Sequence, residues 1–285
     1  MPSLIDIRRR IRSVKNTQQI TKAMKMVSAA KLRRAQDRVI AARPYATLLG
    51  KVLANVAAAA AVEPDAGDNP LVAVRPEQRV LLVLFTADKG LAGAFNSNLI
   101  KGAQRFAAEH GGATVTLELV GRKGRDFFRK RGARISGDQI NLAAKPAYAQ
   151  TAAIAGRAMD LYRKGEIDAV HLIYNEFKSV VSQKLTLRKI LPVDVPQRTA
   201  PVDYIFEQPP AAMLDALLPR YVETAFFQAL LETAASEHAA RMTAMDAATS
   251  NASEMIDKLT LYMNRVRQAS ITKEIIEVVS GASVE

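Results

Sequence analysis

Residues 221–280 read YVETAFFQALLETAASEHAARMTAMDAATSNASEMIDKLTLYMNRVRQASITKEIIEVVS, sixty residues without a glycine or a proline. As one α-helix at ~1.5 Å of rise per residue, this stretch would be about 90 Å long, several times the width of a small domain. Helical patterns of that length imply a coiled coil, a membrane span or a repeat. The longest unbroken apolar runs, 56–62 and 80–85, fall far short of the ~20 residues a spanning helix needs. Spacing favours the coiled coil. Leu231, Ala235, His238, Met242, Met245, Thr249, Ala252, Ile256, Leu259, Met263, Val266, Ser270 and Lys273 stand at alternating steps of four and three. Ten of these thirteen are Ala, aliphatic, Met or His, a heptad seam whose alanines admit a close partner helix.

The partner lies at the other end of the chain. The first 49 residues also lack glycine and hold only Pro2 and Pro44. Leu4, Ile7, Ile11 and Val14 keep the same spacing, after which the apolar positions skip Gln18 and resume at Ile20, Met24 and Val27. Such a phase change predicts a stutter, a local change of supercoil. Polar residues on nearly every side of this segment argue against a simple surface helix of one domain.

Glycine and proline concentrate between the two helical ends. Twelve of fourteen glycines fall between Gly67 and Gly165, and ten of twelve prolines between Pro64 and Pro219. Helices at 1–60 and 210–285, joined by linkers at 61–77 and 191–209, therefore enclose a domain at 78–190. Within it 80–85 is a buried strand, and 114–120 a β-branched alternating one. Segments 169–177 and 184–190 form a hairpin through 179–182, and helices lie at 98–109, 125–131 and 146–164. Strands alternating with helices mean βαβ units and a mainly parallel sheet. The expected fold is α/β plus long helices: an antiparallel coiled coil of the terminal helices around an inserted Rossmann-like domain.

The net charge of +12 is unevenly placed. Residues 1–43 hold twelve Lys and Arg against two Asp, or +10, whereas 221–285 hold five basic against nine acidic groups, or −4. A basic helix invites a nucleic-acid or anionic-surface reading. The favoured alternative is a basic helix partly neutralised by an acidic one beside it. No cysteine is present, so there is no disulfide framework or thiol nucleophile. No secretory leader is visible, and the expected compartment is cytoplasmic.

Catalytic constellations are weak. Residues 86–96, TADKGLAGAFN, sit between a strand and a helix as a phosphate cradle would. They lack both the Gly-x-Gly-x-x-Gly pattern and a Gly-Lys-Ser/Thr ending, so a structural turn is the better reading; the same holds for Gly121 and Gly124. His110, His171 and His238 are scattered, with His171 in a strand and His238 on the seam, where packing is the usual role. No nucleophile–base–acid set, metal cluster or cofactor motif assembles.

The resemblance is carried by segments in all three parts. ITKAMKM at 20–26, DKGLAG at 88–93, RMTAMD at 241–246, ATSNA at 248–252, NRVRQ at 264–268, ITKE at 271–274 and SGA at 280–282 together resemble the gamma subunit of F-type, proton-translocating ATP synthases of bacterial type. The resemblance implies a noncatalytic rotor subunit in a central stalk, coupling proton flow to ATP synthesis or hydrolysis and regulating both. It implies alpha and beta subunits of a catalytic ring, epsilon, the membrane c-ring and, within the whole complex, delta as partners, with no nucleic acid and no cofactor. Its location would be peripheral, on the cytoplasmic face of the bacterial inner membrane. By the same resemblance Met24, Lys25, Arg241, Arg267, Gln268, Thr272 and Glu274 meet the ring. The alternatives of another class are a basic coiled-coil nucleic-acid-binding or scaffold protein, and an α/β enzyme with helical arms.

Overall fold

The computed structural model describes residues 3–60, 69–194 and 206–282. Residues 61–68 and 195–205 of the expected linkers, and the end at 283–285, lie outside the described residues. The element order is α1 (Leu4–Ala60), β1 (Arg79–Phe85), α2 (Phe95–Glu109), β2 (Thr114–Val120), α3 (Arg122–Arg129), β3 (Ile135–Gln139), α4 (Tyr148–Arg163), β4 (Ala169–Phe177), β5 (Gln183–Leu191) and α5 (Pro210–Ala282). Two compact units emerge: Met1–Ala29 with Arg241–Glu285, and Ala30–Ala240.

In the larger unit a five-stranded sheet runs β3-β2-β1-β4-β5. The first four strands are parallel and β5 returns antiparallel to β4, through a turn in which Ser179 N donates to Ser182 O. Alternation along β1 sends Leu81, Val83 and Phe85 to one face and Val80, Leu82 and Leu84 to the other. The first face packs Leu53 of α1, Ile154 and Met159 of α4, and Leu218, Val222, Phe226 and Leu230 of α5. The second packs Leu99, Ala103 and Phe106 of α2 with Phe128 of α3. Covered on both faces, β1 reads as a continuous apolar run, as parallel strands do.

β3 was not expected. Its sequence, Ile135-Ser-Gly-Asp-Gln139, has no apolar run because it is an edge strand with one neighbour. At Gly137 a Cβ would come within 2.6 Å of a Glu118 carboxylate oxygen, so a side chain there would push that carboxylate aside. Glu118 is buried on β2 and pairs with Arg157 of α4 at 2.5 Å.

In the smaller unit α1 starts on a reciprocal cap, in which Asp6 N donates to Ser3 Oγ and Ser3 Oγ donates to the Asp6 carboxylate. The α5 seam lies where the heptads put it: Met245 and Ala252 are buried, and Met242, Thr249, Ile256, Leu259, Met263, Val266 and Ser270 are half-buried. Lys273 alone of the seam is exposed. On α1 the expected stutter is absent. Burial continues in strict heptad phase through Ile7, Ile11, Val14, Gln18, Thr21 and Ser28, while Ile20 and Val27 face outward. The error came from equating seam with apolar, since this seam carries hydroxyls and an amide in the middle and turns its isoleucine and valine out.

Ala252 lies on that seam, so Ala252→Trp should force the helices apart at a cost of about 1–3 kcal/mol. Thermal unfolding monitored by circular dichroism should show a lowered melting temperature, and an unchanged one would misplace the seam.

Candidate functional site

The helices of the smaller unit meet through directional bonds as well as packing. The hydroxyls of Thr21 and Thr249 lie 2.8 Å apart, and Thr249 Oγ1 also lies 2.7 Å from Met245 O. Lys25 Nζ reaches Asp246 Oδ1 at 2.5 Å, with both side chains substantially exposed. An exposed pair of this kind contributes little to stability, at most ~1 kcal/mol, but it fixes where an ammonium from α1 sits.

Of the seven residues singled out in the sequence, Met24 is half-buried on α1 and Lys25 is held by Asp246. Arg267, Gln268, Thr272 and Glu274 are all exposed on α5. Thr272 Oγ1 donates to Gln268 O at 2.9 Å, and Ser270 Oγ donates to Glu274 Oε1 at 3.3 Å. Glu274 is thus engaged within its own helix, and Arg267 makes no ion pair with it. Arg241 differs from the other six. It is only 8% exposed, so the fold covers its side chain instead of presenting it as a surface contact.

Beyond Ser270 the whole of α5 faces outward through Ser280. Ile271, Ile275, Ile276, Val278 and Val279 are between 48% and 71% exposed, and on α1 Ile5, Ile20, Met26 and Val27 are exposed too. Isolated surface apolars need no explanation, but contiguous ones mark an interaction surface. By their three- and four-residue spacing 267, 268, 271, 272 and 275 share one helical face; the aliphatic side chains at 276, 278 and 279 extend the exposed apolar surface beyond it.

The glycine loop at 86–96 lies at the carboxyl end of β1, beside β4, where an open α/β sheet of this strand order would place a ligand. Three amides in and around it are already engaged. Ala87 N donates to Asn96 Oδ1 at 3.0 Å, Gly124 N to Thr86 Oγ1 at 2.9 Å and Arg122 N to Asp88 Oδ1 at 3.0 Å. The Asp88 carboxylate therefore occupies the amino end of α3, the position an anion would take. Gly121 closes the loop at φ +102°, and a Cβ there would stand 2.1 Å from Thr86 O. The geometry is that of a locked turn.

Two of the three histidines converge. His171 Nε2 lies 3.3 Å from Glu77 Oε2 and His110 Nε2 lies 4.0 Å from it, while Lys189 Nζ holds Glu77 Oε1 at 2.7 Å. The His110 ring stacks on Phe106, centroids 4.0 Å apart. With Nε2–H donating to Glu77, His171 Nδ1 is the unprotonated nitrogen, and it is buried without a partner. Burial pushes the His171 pKa down more than the Glu77 carboxylate lifts it, leaving it below the ordinary imidazole value. Burial raises Glu77, but the hydrogen bond and charge of Lys189, with His171, hold it net below the usual carboxylate range.

Paired helices that display apolar and amide-bearing faces, and a sheet domain whose glycine loop is tied down by Thr86, Asp88 and Asn96, define a structural subunit that works against partner chains. The comparisons agree with that class. A family model described as ATP synthase matches residues 3–284. The ATP synthase gamma chain of Solibacter usitatus is 75% identical over 283 residues, covering 99% of both chains. That of Pelotomaculum thermopropionicum is 50% identical over 286 residues, again 99% of each. Among solved structures, a chain of the Tetrahymena thermophila mitochondrial ATP synthase central stalk and c-ring matches with a TM-score of 0.60 and 26% identity, covering 80% of this chain and 99% of that one. A chain of the Euglena gracilis mitochondrial enzyme shares the fold at TM-score 0.68 and 19% identity, covering 99% of this chain and 94% of that one. The chain belongs to the gamma-chain family of ATP synthases.

Acid should destabilise the sheet unit in two steps. The unfolded chain takes up the His171 proton more readily than the folded one, so stability falls as pH drops through ~6.5. Glu77, depressed in the fold, contributes stability that is lost as pH drops further, below ~4.5. Calorimetry of the isolated chain at pH 7.5 and 5.5 should show a drop in melting temperature that His171→Gln reduces by about 2–4 °C; an identical drop in both would remove His171 from the account.

Proposed function

We propose that this chain is the rotor subunit in the central stalk of a bacterial F-type ATP synthase. It couples proton flow through the membrane sector to ATP synthesis or hydrolysis in a ring of alpha and beta subunits, and regulates both. It is not the catalytic subunit. The observation that carries the reading is 75% identity along 99% of a gamma chain, on a fold whose exposed helical faces suit a surrounding ring. On this reading residues 1–60 and 210–285 are the shaft helices. Residues 78–190, reached through 61–77 and 191–209, serve epsilon and the c-ring, with delta elsewhere in the complex. The subunit is peripheral, on the cytoplasmic face of the inner membrane. In keeping with this, no helix among the described residues is long and apolar enough to cross a membrane.

The chemistry of the exposed faces fits a turning contact. Aliphatic side chains at 271, 275, 276, 278 and 279 give non-directional contact that slides with a low barrier. Arg267 and Gln268 add directional donors that favour particular angles. A shaft whose contacts change with angle changes the nucleotide affinity of each surrounding site in turn, and by reciprocity bound nucleotide biases the shaft angle. Met24 and Lys25 on α1, with Arg267, Gln268, Thr272 and Glu274 on α5, are the contacts this reading assigns to the ring.

Co-purification of the tagged chain with alpha, beta and epsilon subunits tests the assignment directly. Within the assembled complex, Arg267→Ala with Gln268→Ala should preserve both helices, since alanine favours them. ATP turnover should nevertheless fall by about tenfold, the equivalent of one charge-assisted hydrogen bond lost at one shaft angle. Parental turnover by a fully assembled double variant, across ionic strengths, would refute those contacts.

A further inference from the structure

One ion pair in the larger unit, buried on its carboxylate side, ties together three elements that sequence separates widely. Glu232, on α5, has a side chain only 2% exposed; Arg43, on α1, keeps 43% exposure. Arg43 Nε and Nη2 donate to Glu232 Oε1 at 3.1 and 3.0 Å. The same Nη2 donates to the carbonyl of Phe177, the last residue of β4, at 2.9 Å. The Phe177 N–H in turn donates to Glu232 Oε2 at 2.9 Å. The ring is closed, because both backbone polar groups of one strand residue, a forked guanidinium and both carboxylate oxygens are all used. One turn further along α5, Ser236 Oγ donates to Asn175 O at 3.0 Å, so β4 is stitched to α5 at two successive levels.

Apolar helix contacts resist separation but only weakly resist sliding or twisting. Directional bonds from a planar guanidinium resist both, and a buried carboxylate cannot exchange its partners for water without a large desolvation cost. Breaking one partner therefore frees a degree of rotation that packing alone does not oppose. We infer that the Arg43–Glu232–Phe177 ring is the joint that fixes the azimuth of α1 and α5 against the sheet and so passes torque between them. The inference rests on the rotor reading and adds positioning residues to it; neither Arg43 nor Glu232 belongs to the surface assigned to the ring.

The test uses the whole ATP synthase with its catalytic ring immobilised. The chain has no cysteine, so Val181→Cys on the β4–β5 turn, 86% exposed, gives one attachment point for a bead. The angular spread of the bead during catalytic pauses measures torsional stiffness. Glu232→Gln, which keeps the shape and removes the charge, should widen the angular variance at least about twofold while ATP turnover stays near the parental rate. Arg43→Met with Glu232→Met is the second variant, since replacing both members leaves no uncompensated buried charge; it should widen the variance as much. An unchanged variance in either variant that assembles overturns the joint. Failure of both to assemble also overturns it, leaving a pair needed for folding alone. If the rotor reading itself is wrong, the Val181→Cys chain without further change will not assemble with alpha and beta or turn a bead, an outcome distinct from all of these.

Discussion

The 73-residue α5, which stays helical through Pro219, must satisfy three surroundings along one helix, and both units depend on its doing so. Between Leu218 and Ala239 nearly every side is covered, with Phe226, Leu230 and Ala235 having no measurable exposure. From Met242 to Ser270 burial narrows to a single stripe, and from Ile271 to Ser280 it vanishes. The side chains follow. Alanines at 225, 229, 234, 235 and 239 allow the close approach that all-round burial needs, heptads serve the stripe, and branched aliphatics without intramolecular partners mark the last stretch. Beyond Pro219 such a helix owes its continuity to a run free of glycine and proline from 221 to 280, since burial supports it unevenly along its length.

Polar groups inside the structure supply what apolar packing does not, a unique register. Thr21 against Thr249 sets the helices of the smaller unit at one level. In the larger unit Glu232 with Arg43, and Glu118 with Arg157, fix helices against strands. Each is costly if left half-made, so alternatives that slide by one turn are penalised strongly. Gly137 illustrates the reach of this rule: a side chain on this edge strand would displace a paired carboxylate on its neighbour.

What could be read from the sequence followed the apolar pattern. Residues 114–120 and 169–177 stand out as strands because their alternation or burial is written in β-branched and aliphatic residues, and the α5 seam because its positions are mostly alanine, aliphatic or methionine. β3 was missed because Ile135-Ser-Gly-Asp-Gln139 gains its place from a neighbour's carboxylate and one edge of hydrogen bonds. The α1 seam was misread because Gln18, Thr21 and Ser28 lie inside while Ile20 and Val27 lie outside. The candidate surface at 267–275 was accessible to helical spacing. The burial of Arg241 was not, and neither was the meeting of Arg43, Phe177 and Glu232, since no local pattern links positions that far apart.

The turn after β1 has a consequence for anyone wishing to reuse this sheet as a scaffold. Its strand order offers the crevice that binds nucleotides in other proteins, yet Thr86, Asp88 and Asn96 accept from the amides of Gly124, Arg122 and Ala87 there. Removing any one of them exposes a single donor and leaves the others blocked, while Gly121 permits no side chain at all. Small-molecule control grafted onto this subunit would therefore have to free several of these amides together.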